Sequence, residues 1–260
     1  MRKVLFWSVV VTFLILAWVI GQAPDGKLHL VFCDVGQGDA GLIIKGDFQM
    51  LIDTGPKNGG VVACLSAHMP FWDRQIEVFV NSHSQADHIG ALAEVEKRYQ
   101  IGRKWLAGVA GDRIRYGDLA FDILWPAASG RVLGASTDPN QLSVVVELNY
   151  GKFRALFTGD LGTAEEKVLV DSGRLTAVDV LKVAHHGSKY SSAAEFLSAV
   201  RPKLAVISVG KNNYGHPTAE ALERLAAVGA AIWRTDRQGE LEIVTDSRSF
   251  WSDDSPNLTY

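Results

Sequence analysis

A surplus of positive charge is missing from this chain. Its 26 Lys and Arg residues stand against 29 Asp and Glu, a formal net charge of −3 over 260 residues. That argues against a broad basic nucleic-acid face and leaves room for a local one. Nothing in the middle of the chain marks a linker, so one large domain is expected rather than two small ones. No repeat of about 20 to 50 residues recurs, which excludes a solenoid. Cysteine is scarce: Cys33 and Cys64 are the only two. They could pair in an oxidising compartment, but Cys33 lies in an apolar strand pattern and reads equally well as a small core residue. What is plentiful is apolar surface and turns, with 47% hydrophobic residues and 25 glycines, the mark of a well-cored globular protein.

The first 23 residues form a separate object. Arg2 and Lys3 precede an uncharged apolar run from Val4 to Ile20, interrupted only by Ser8 and Thr12. This is the pattern of a secretion signal or a short single-span anchor. Gly21-Gln22-Ala23 offers small residues for cleavage, while Pro24 directly after them would hinder it. An uncleaved anchor is therefore expected, with the positive end in the cytoplasm and the domain outside. The domain is expected over 28–247, followed by a tail over 248–260.

Periodicity predicts strands over 28–32, 40–45, 48–52, 76–81, 104–107, 113–116, 119–125, 142–150, 153–158, 178–183, 204–208, 231–234 and 240–245. Helices are predicted over 59–69, 89–99, 163–171, 192–199 and 217–228. Two strand-rich halves with interspersed helices suggest a layered α/β architecture of mixed sheets.

Candidate chemistry sits at the ends of these strands. Asn81-Ser-His83-Ser-Gln85-Ala-Asp87-His88-Ile-Gly90 joins a buried strand to a helix, where side chains can converge. Imidazole and carboxylate together are the ligand set for Zn, Mn or Fe(II). A polar helix cap with incidental histidines explains that stretch about as well by itself. The balance shifts because further candidates follow later strands: Asp160 after Ala155-Leu156-Phe157, His185-His186-Gly187-Ser188 after Val180–Ala184, and His216 after Ala205–Ser208. Active sites of layered α/β proteins gather at such strand ends. Asp53, in Leu51-Ile52-Asp53-Thr54-Gly55, reads as a structural acceptor for a neighbouring loop rather than a ligand.

Taken in order, Leu51-Ile52-Asp53-Thr54-Gly55, His83-x-x-x-Asp87-His88, Thr158-Gly159-Asp160 and a late histidine resemble the metallo-β-lactamase fold. Asp34-Val35-Gly36-Gln37-Gly38-Asp39, Leu181-Lys182-Val183-Ala184-His185-His186-Gly187-Ser188 and Gly215-His216-Pro217 resemble the C-terminal hydrolase domain of ComEC-type competence proteins. The resemblance covers roughly residues 28–245 and implies a four-layer αββα sandwich with a binuclear metal site. It also implies a divalent-metal phosphodiesterase or nuclease acting in DNA uptake, with DNA-uptake channel proteins as partners. ComEC-type proteins carry many transmembrane helices ahead of this domain and this sequence shows at most one, so cleavage or binding is expected rather than a channel.

Two departures matter. Gln85 stands where the superfamily has a second histidine, and Asp138–Ser143 replaces a later one, with Asn140 and Ser143 as in the ComEC-type branch. Amide oxygens suit harder ions, so Mn²⁺ is favoured over a pair of Zn²⁺. The expected ligands are His83, Asp87, His88, Asp160, His185 and His216, with Asp160 bridging. Asp87, Asp160, His185 and His186 are the expected catalytic residues. Asn140, Ser143, Ser188, Lys189 and Asn213 are candidate substrate contacts. The chemistry these residues allow is metal-assisted hydrolysis at a phosphoryl or carbonyl centre; a phosphodiester such as DNA is what the resemblance implies as substrate. A lactonase, β-lactamase or small-molecule phosphodiesterase on the same fold stays open, as does a non-catalytic metal-binding module.

Overall fold

A computed structural model describes residues 2–21, 24–127, 138–252, 254–255 and 258–260. The candidate cleavage residues Gln22 and Ala23 lie outside them. Two seven-stranded mixed sheets face each other. In chain order the strands of the first are β1 (Leu28–Phe32), β2 (Gly41–Lys45), β3 (Phe48–Ile52), β4 (Gln75–Val80), β5 (Gln100–Trp105), β13 (Leu241–Thr245) and β14 (Phe250–Trp251). Their spatial order is β14-β13-β1-β2-β3-β4-β5. The second sheet holds β6 (Arg113–Tyr116), β7 (Leu119–Trp125), β8 (Val145–Tyr150), β9 (Phe153–Phe157), β10 (Val180–Lys182), β11 (Leu204–Ile207) and β12 (Ala231–Arg234), ordered β12-β11-β10-β9-β8-β7-β6.

The side-chain period of two builds the layers. Leu28, Leu30 and Phe32 of β1 point between the sheets, where they meet Phe121, Val146, Leu148, Phe157 and Val206 of the second sheet. Val31 and Cys33 point the other way and pack with Val61, Leu65 and Val95 of the helical layer. On the far side, Leu156, Leu181 and Ile207 pack against Leu169, Phe196, Leu197 and Leu225 of the helices Thr163–Asp171, Ala194–Val200 and Ala219–Ala227. The result is the αββα sandwich.

Strand direction brings the strand ends to one edge. β3 and β4 run parallel in one sheet, as do β9, β10 and β11 in the other. The loops leaving their carboxyl ends therefore share that edge, and they carry Asp53, the His83–His88 stretch, Asp160, the His185–Ser188 stretch and His216.

Three local outcomes differ from, or settle, the sequence reading. The helix expected over 89–99 is two short helices, Ala86–Ile89 and Leu92–Val95. Its backbone is diverted: His88 O accepts from Thr54 N at 2.6 Å, and Ala91 N donates to Gly55 O at 3.1 Å. Cys33 and Cys64 form a disulfide with a Cα–Cα distance of 5.8 Å, tying the end of β1 to the helix Gly60–His68. Across a separation of 31 residues this link stabilises the fold by about 4 kcal/mol in the chain-entropy account. Finally, the segment set apart as a tail returns to the sheet edge, where Thr245 pairs with Phe250 and Trp251 bridges Thr259.

The N-terminal helix α1 spans Arg2–Gly21. Among the described residues no helix is long and apolar enough to cross a membrane. The side chains at 2–5, 15–18 and 20–21 of α1 are not among those described.

Candidate metal centre

The centre is assembled around Asp160, which is buried at the end of the loop leaving β9. Four imidazoles surround its carboxylate: His88 Nε2 lies 3.2 Å from Oδ1, and His185 Nε2 and His186 Nε2 each lie 3.7 Å from Oδ2. His83 Nε2 lies 4.0 Å from Oδ2. Asp87 closes one side, its Oδ2 lying 3.5 Å from His186 Nε2. Asp87, His88, Asp160 and His186 each offer a ligand atom within 4.8 Å of the others.

Each of three rings is held by its other nitrogen. His88 Nδ1 donates to Asp53 Oδ2 at 2.9 Å and His186 Nδ1 to the carbonyl of Ser208 at 2.7 Å. His83 Nδ1 donates to Ser82 Oγ at 3.0 Å, and that hydroxyl donates onward to Asp53 Oδ2 at 2.7 Å. Such bonds fix the tautomer that leaves Nε2 free for a cation. Both Asp160 oxygens and the Nε2 atoms of His83, His88 and His186 are buried without a hydrogen-bond partner. Buried polar atoms are almost always paired, so five orphans aimed at one point call for a missing charge. A divalent cation fits that donor set of imidazole nitrogens and carboxylate oxygens.

The electrostatics of the site divide its imidazoles into two kinds. Burial alone would lower His88 and His186, but the surrounding carboxylates outweigh it. Asp160, Asp53 and Asp39 raise His88 well above the usual imidazole range, and Asp160 and Asp39 raise His186 to about 9. Burial would raise Asp160, yet His88 and His186 hold it well below the usual carboxylate range. Burial lowers His83 and His185. It also lowers His216, to about 4, helped by the nearby His185 and His186.

The local backbone is built for this convergence. His185 and His186 both adopt left-handed conformations, at φ 51° and 54°, so the chain turns sharply and presents adjacent rings to different sides. Left-handed residues with side chains cost about 1 to 2 kcal/mol each and persist only where surroundings enforce them. Gly38, at φ 147°, lets its backbone lie against Asp87, since a Cβ there would fall 2.3 Å from the Asp87 carbonyl oxygen. Gly159, at φ 51°, likewise passes between Ser82 and Ser143.

The structure places the other expected residues as follows. His216 is not in the tight group; its ring centre lies 5.4 Å from that of His185. Asn212 holds it there, accepting from His216 N at 3.1 Å and donating to its carbonyl at 2.9 Å. Asp53 is a buried acceptor and the orienting partner of His88. Gln85 and Asn140 pair with each other, Nε2 to Oδ1 at 2.8 Å. Ser143 Oγ accepts from Asp160 N at 3.0 Å, bracing the carboxylate from behind. Ser188 is buried and accepts from Tyr190 N, whereas Lys189 and Asn213 are exposed.

Two residues escaped the sequence reading. Asp39 and Lys182 are both buried and form an ion pair under the histidines. Lys182 Nζ also donates to Gly159 O at 3.4 Å. The legible signal was a lone lysine inside the apolar run Val180–Ala184.

Comparison with known proteins agrees with the fold. Residues 127–211 match the metallo-beta-lactamase superfamily. The chain is 28% identical over 264 residues to ComE operon protein 3 of Bacillus subtilis, covering 85% of this chain and 33% of that one. It is 31% identical over 251 residues to competence protein ComA of Neisseria gonorrhoeae, covering 91% of this chain and 35% of that one. The chain thus spans about a third of the length of these relatives. The metallo-beta-lactamase fold protein YhfI of Bacillus subtilis superposes with a TM-score of 0.56 at 10% identity, over 83% of this chain and 99% of its own.

Proposed function

This chain has the metallo-β-lactamase fold and is similar, over most of its length, to part of the ComEC-type competence proteins; on that premise we propose that it is a divalent-metal phosphodiesterase acting on DNA outside the cytoplasm. The observation that carries the proposal is the ring of orphaned Nε2 atoms around Asp160, each anchored behind by its Nδ1. A cluster of buried imidazole nitrogens and carboxylate oxygens this costly to leave unpaired is suited to a divalent cation.

Asp87, His88, Asp160 and His186 would hold one ion, and His83 and His185, which share Asp160, would hold a second. Divalent ions supply a more acidic water and polarise the phosphoryl oxygen. The chain's own groups do the rest. Asp160 fixes the spacing of the imidazoles, and Ser143 and Gly159 fix Asp160. His216, half-exposed at the mouth and lowered to about 4 by burial and the nearby His185 and His186, offers a neutral imidazole able to accept a proton or a hydrogen bond from water or substrate.

DNA is the proposed substrate, a reading supported by the likeness to ComE operon protein 3 and to competence protein ComA. The Cys33–Cys64 disulfide supports an oxidising compartment. Arg2, Lys3 and the apolar run of the first 23 residues support attachment to a membrane, with the hydrolase domain running from 28 through the returning strand β14. The mildly acidic net charge of −3 favours, as second reading, a small-molecule hydrolase on the same fold. A panel of oligonucleotide, phosphodiester, lactone and lactam substrates with added Mn²⁺ or Zn²⁺ separates them. Hydrolysis confined to lactam or lactone would overturn the nuclease reading.

A further inference from the structure

Among the described residues outside α1, the most exposed large aromatics are Tyr190, at 69%, and Tyr214, at 75%. Both stand on the loops that carry the histidines. Tyr190 follows the His185–Ser188 turn by two residues. Tyr214 precedes His216 by two, and its ring centre lies 5.8 Å from that of His216 at a tilt of 33°. His216 in turn lies 5.4 Å from His185, whose Nε2 is 3.7 Å from Asp160. A continuous path of rings therefore leads from the buried carboxylate to the surface at Tyr214.

An exposed tyrosine on a loose loop would need no explanation, but these loops are braced. Arg224 donates to the carbonyls of Lys189, Ser191 and Ser192 at 3.1, 2.8 and 2.8 Å. The carboxylate of Glu166 accepts from Ser192 N and Ala193 N at 2.6 and 2.8 Å. Tyr190 itself donates its N–H to Ser188 Oγ at 3.2 Å and accepts from Thr163 N at 2.9 Å. On the other arm, Asn212 makes four hydrogen bonds, to Gly210, Tyr214 and both backbone groups of His216. Each backbone is held while each ring is left in solvent. Rings held rigidly in water are what aromatic ligands stack on, because little entropy is left to lose. Lys189 sets its ammonium 5.1 Å from the Tyr190 ring centre, adding positive charge beside it.

Resting on the phosphodiesterase reading, we propose that Tyr190 and Tyr214 are stacking platforms for unpaired nucleobases on either side of the bond to be cut, so that the centre takes single strands. Paired bases already have their faces covered by neighbours and present none to a tyrosine. Stacking on protein aromatics binds bases with little regard to sequence.

The test compares the full-length chain with Tyr190→Ala, Tyr214→Ala, Tyr190→Phe and Tyr214→Phe. Substrates are a labelled single strand, its duplex, and a strand of equal length built from a stable abasic analogue. Fluorescence anisotropy in EDTA reads binding without cleavage, and Mn²⁺-supported cleavage reads KM and kcat. Each Ala variant is expected to weaken binding of the base-bearing strand about tenfold and to raise KM without lowering kcat, with Phe restoring both. The abasic strand should bind the wild type as weakly as it binds the Ala variants. Equal binding of base-bearing and abasic strands, or Ala variants matching the wild type, overturns the platforms while cleavage persists. Failure of the wild type to cut any strand, abasic included, overturns the phosphodiesterase reading as well.

Discussion

Replacing Asp53 by Asn isolates the orienting layer behind the metal centre. The backbone at Asp53 has φ 60°, a conformation Asn tolerates, so the substitution need not disturb the chain. One carboxylate oxygen accepts from Ser82 N at 2.7 Å, and an Asn carbonyl can keep that bond. The other accepts from Ser82 Oγ at 2.7 Å and from His88 Nδ1 at 2.9 Å. In Asn that atom becomes an NH₂ group facing two donors. Ser82 can rotate its hydroxyl, but His88 can relieve the clash only by moving its proton to Nε2, the nitrogen that points at Asp160. That tautomer cannot bind a cation. Loss of such an orienting partner costs about 10- to 100-fold in metal affinity, or about 1.4 to 2.8 kcal/mol. Titration calorimetry with Mn²⁺ and Zn²⁺ on wild type and variant measures it directly. Unchanged affinity in a folded Asp53→Asn protein would show that Asp53 does not set the His88 tautomer.

The remaining predictions concern stability. Lys182→Met leaves the Asp39 carboxylate buried without its partner, which should lower stability by about 3 to 5 kcal/mol in urea denaturation. Adding Asp39→Asn should recover much of that loss. Reduction of Cys33–Cys64 should cost about 4 kcal/mol, read as a shift in the same midpoint with and without reductant. Glu166 is raised to about 7 by burial, against its bonds to Ala193 and Ser192. Its folded form holds a proton that the unfolded chain releases at a normal carboxyl pKa. Stability therefore falls as pH rises from that ordinary range toward about 7, and the loss is complete above it. Glu166→Gln should flatten this slope, checked by urea midpoints at about pH 5 and pH 8.

The sequence made the layers legible because alternation is a local property. Leu28, Leu30 and Phe32 declare one face of β1, and Val31 and Cys33 the other. Strand ends were equally legible, which is why Asp87, His88 and Asp160 stood out. What decides between His185, His186 and His216 is not local. Two consecutive left-handed residues turn His186 inward onto Ser208, and Asn212 holds His216 outward. Neither conformation follows from residue type. The Asp39–Lys182 pair joins opposite sheets, and its signal was a single charge inside an apolar strand. The Gln85–Asn140 pair likewise depends on where two loops meet. The disulfide was undecided in sequence because its geometry depends on how the helix Gly60–His68 lies across β1.

The central claim is that Asp160 organises a cation site that carries out phosphodiester hydrolysis. The most direct measurement is metal content, by elemental analysis after loading with Mn²⁺ or Zn²⁺, together with single-strand cleavage for wild type and Asp160→Asn. The wild type is expected to retain at least one ion per chain and to cleave. Asp160→Asn is expected to remain folded, to retain little metal and not to cleave with either ion. Full metal content and full cleavage in Asp160→Asn, or a wild type that retains no divalent ion, would contradict that claim.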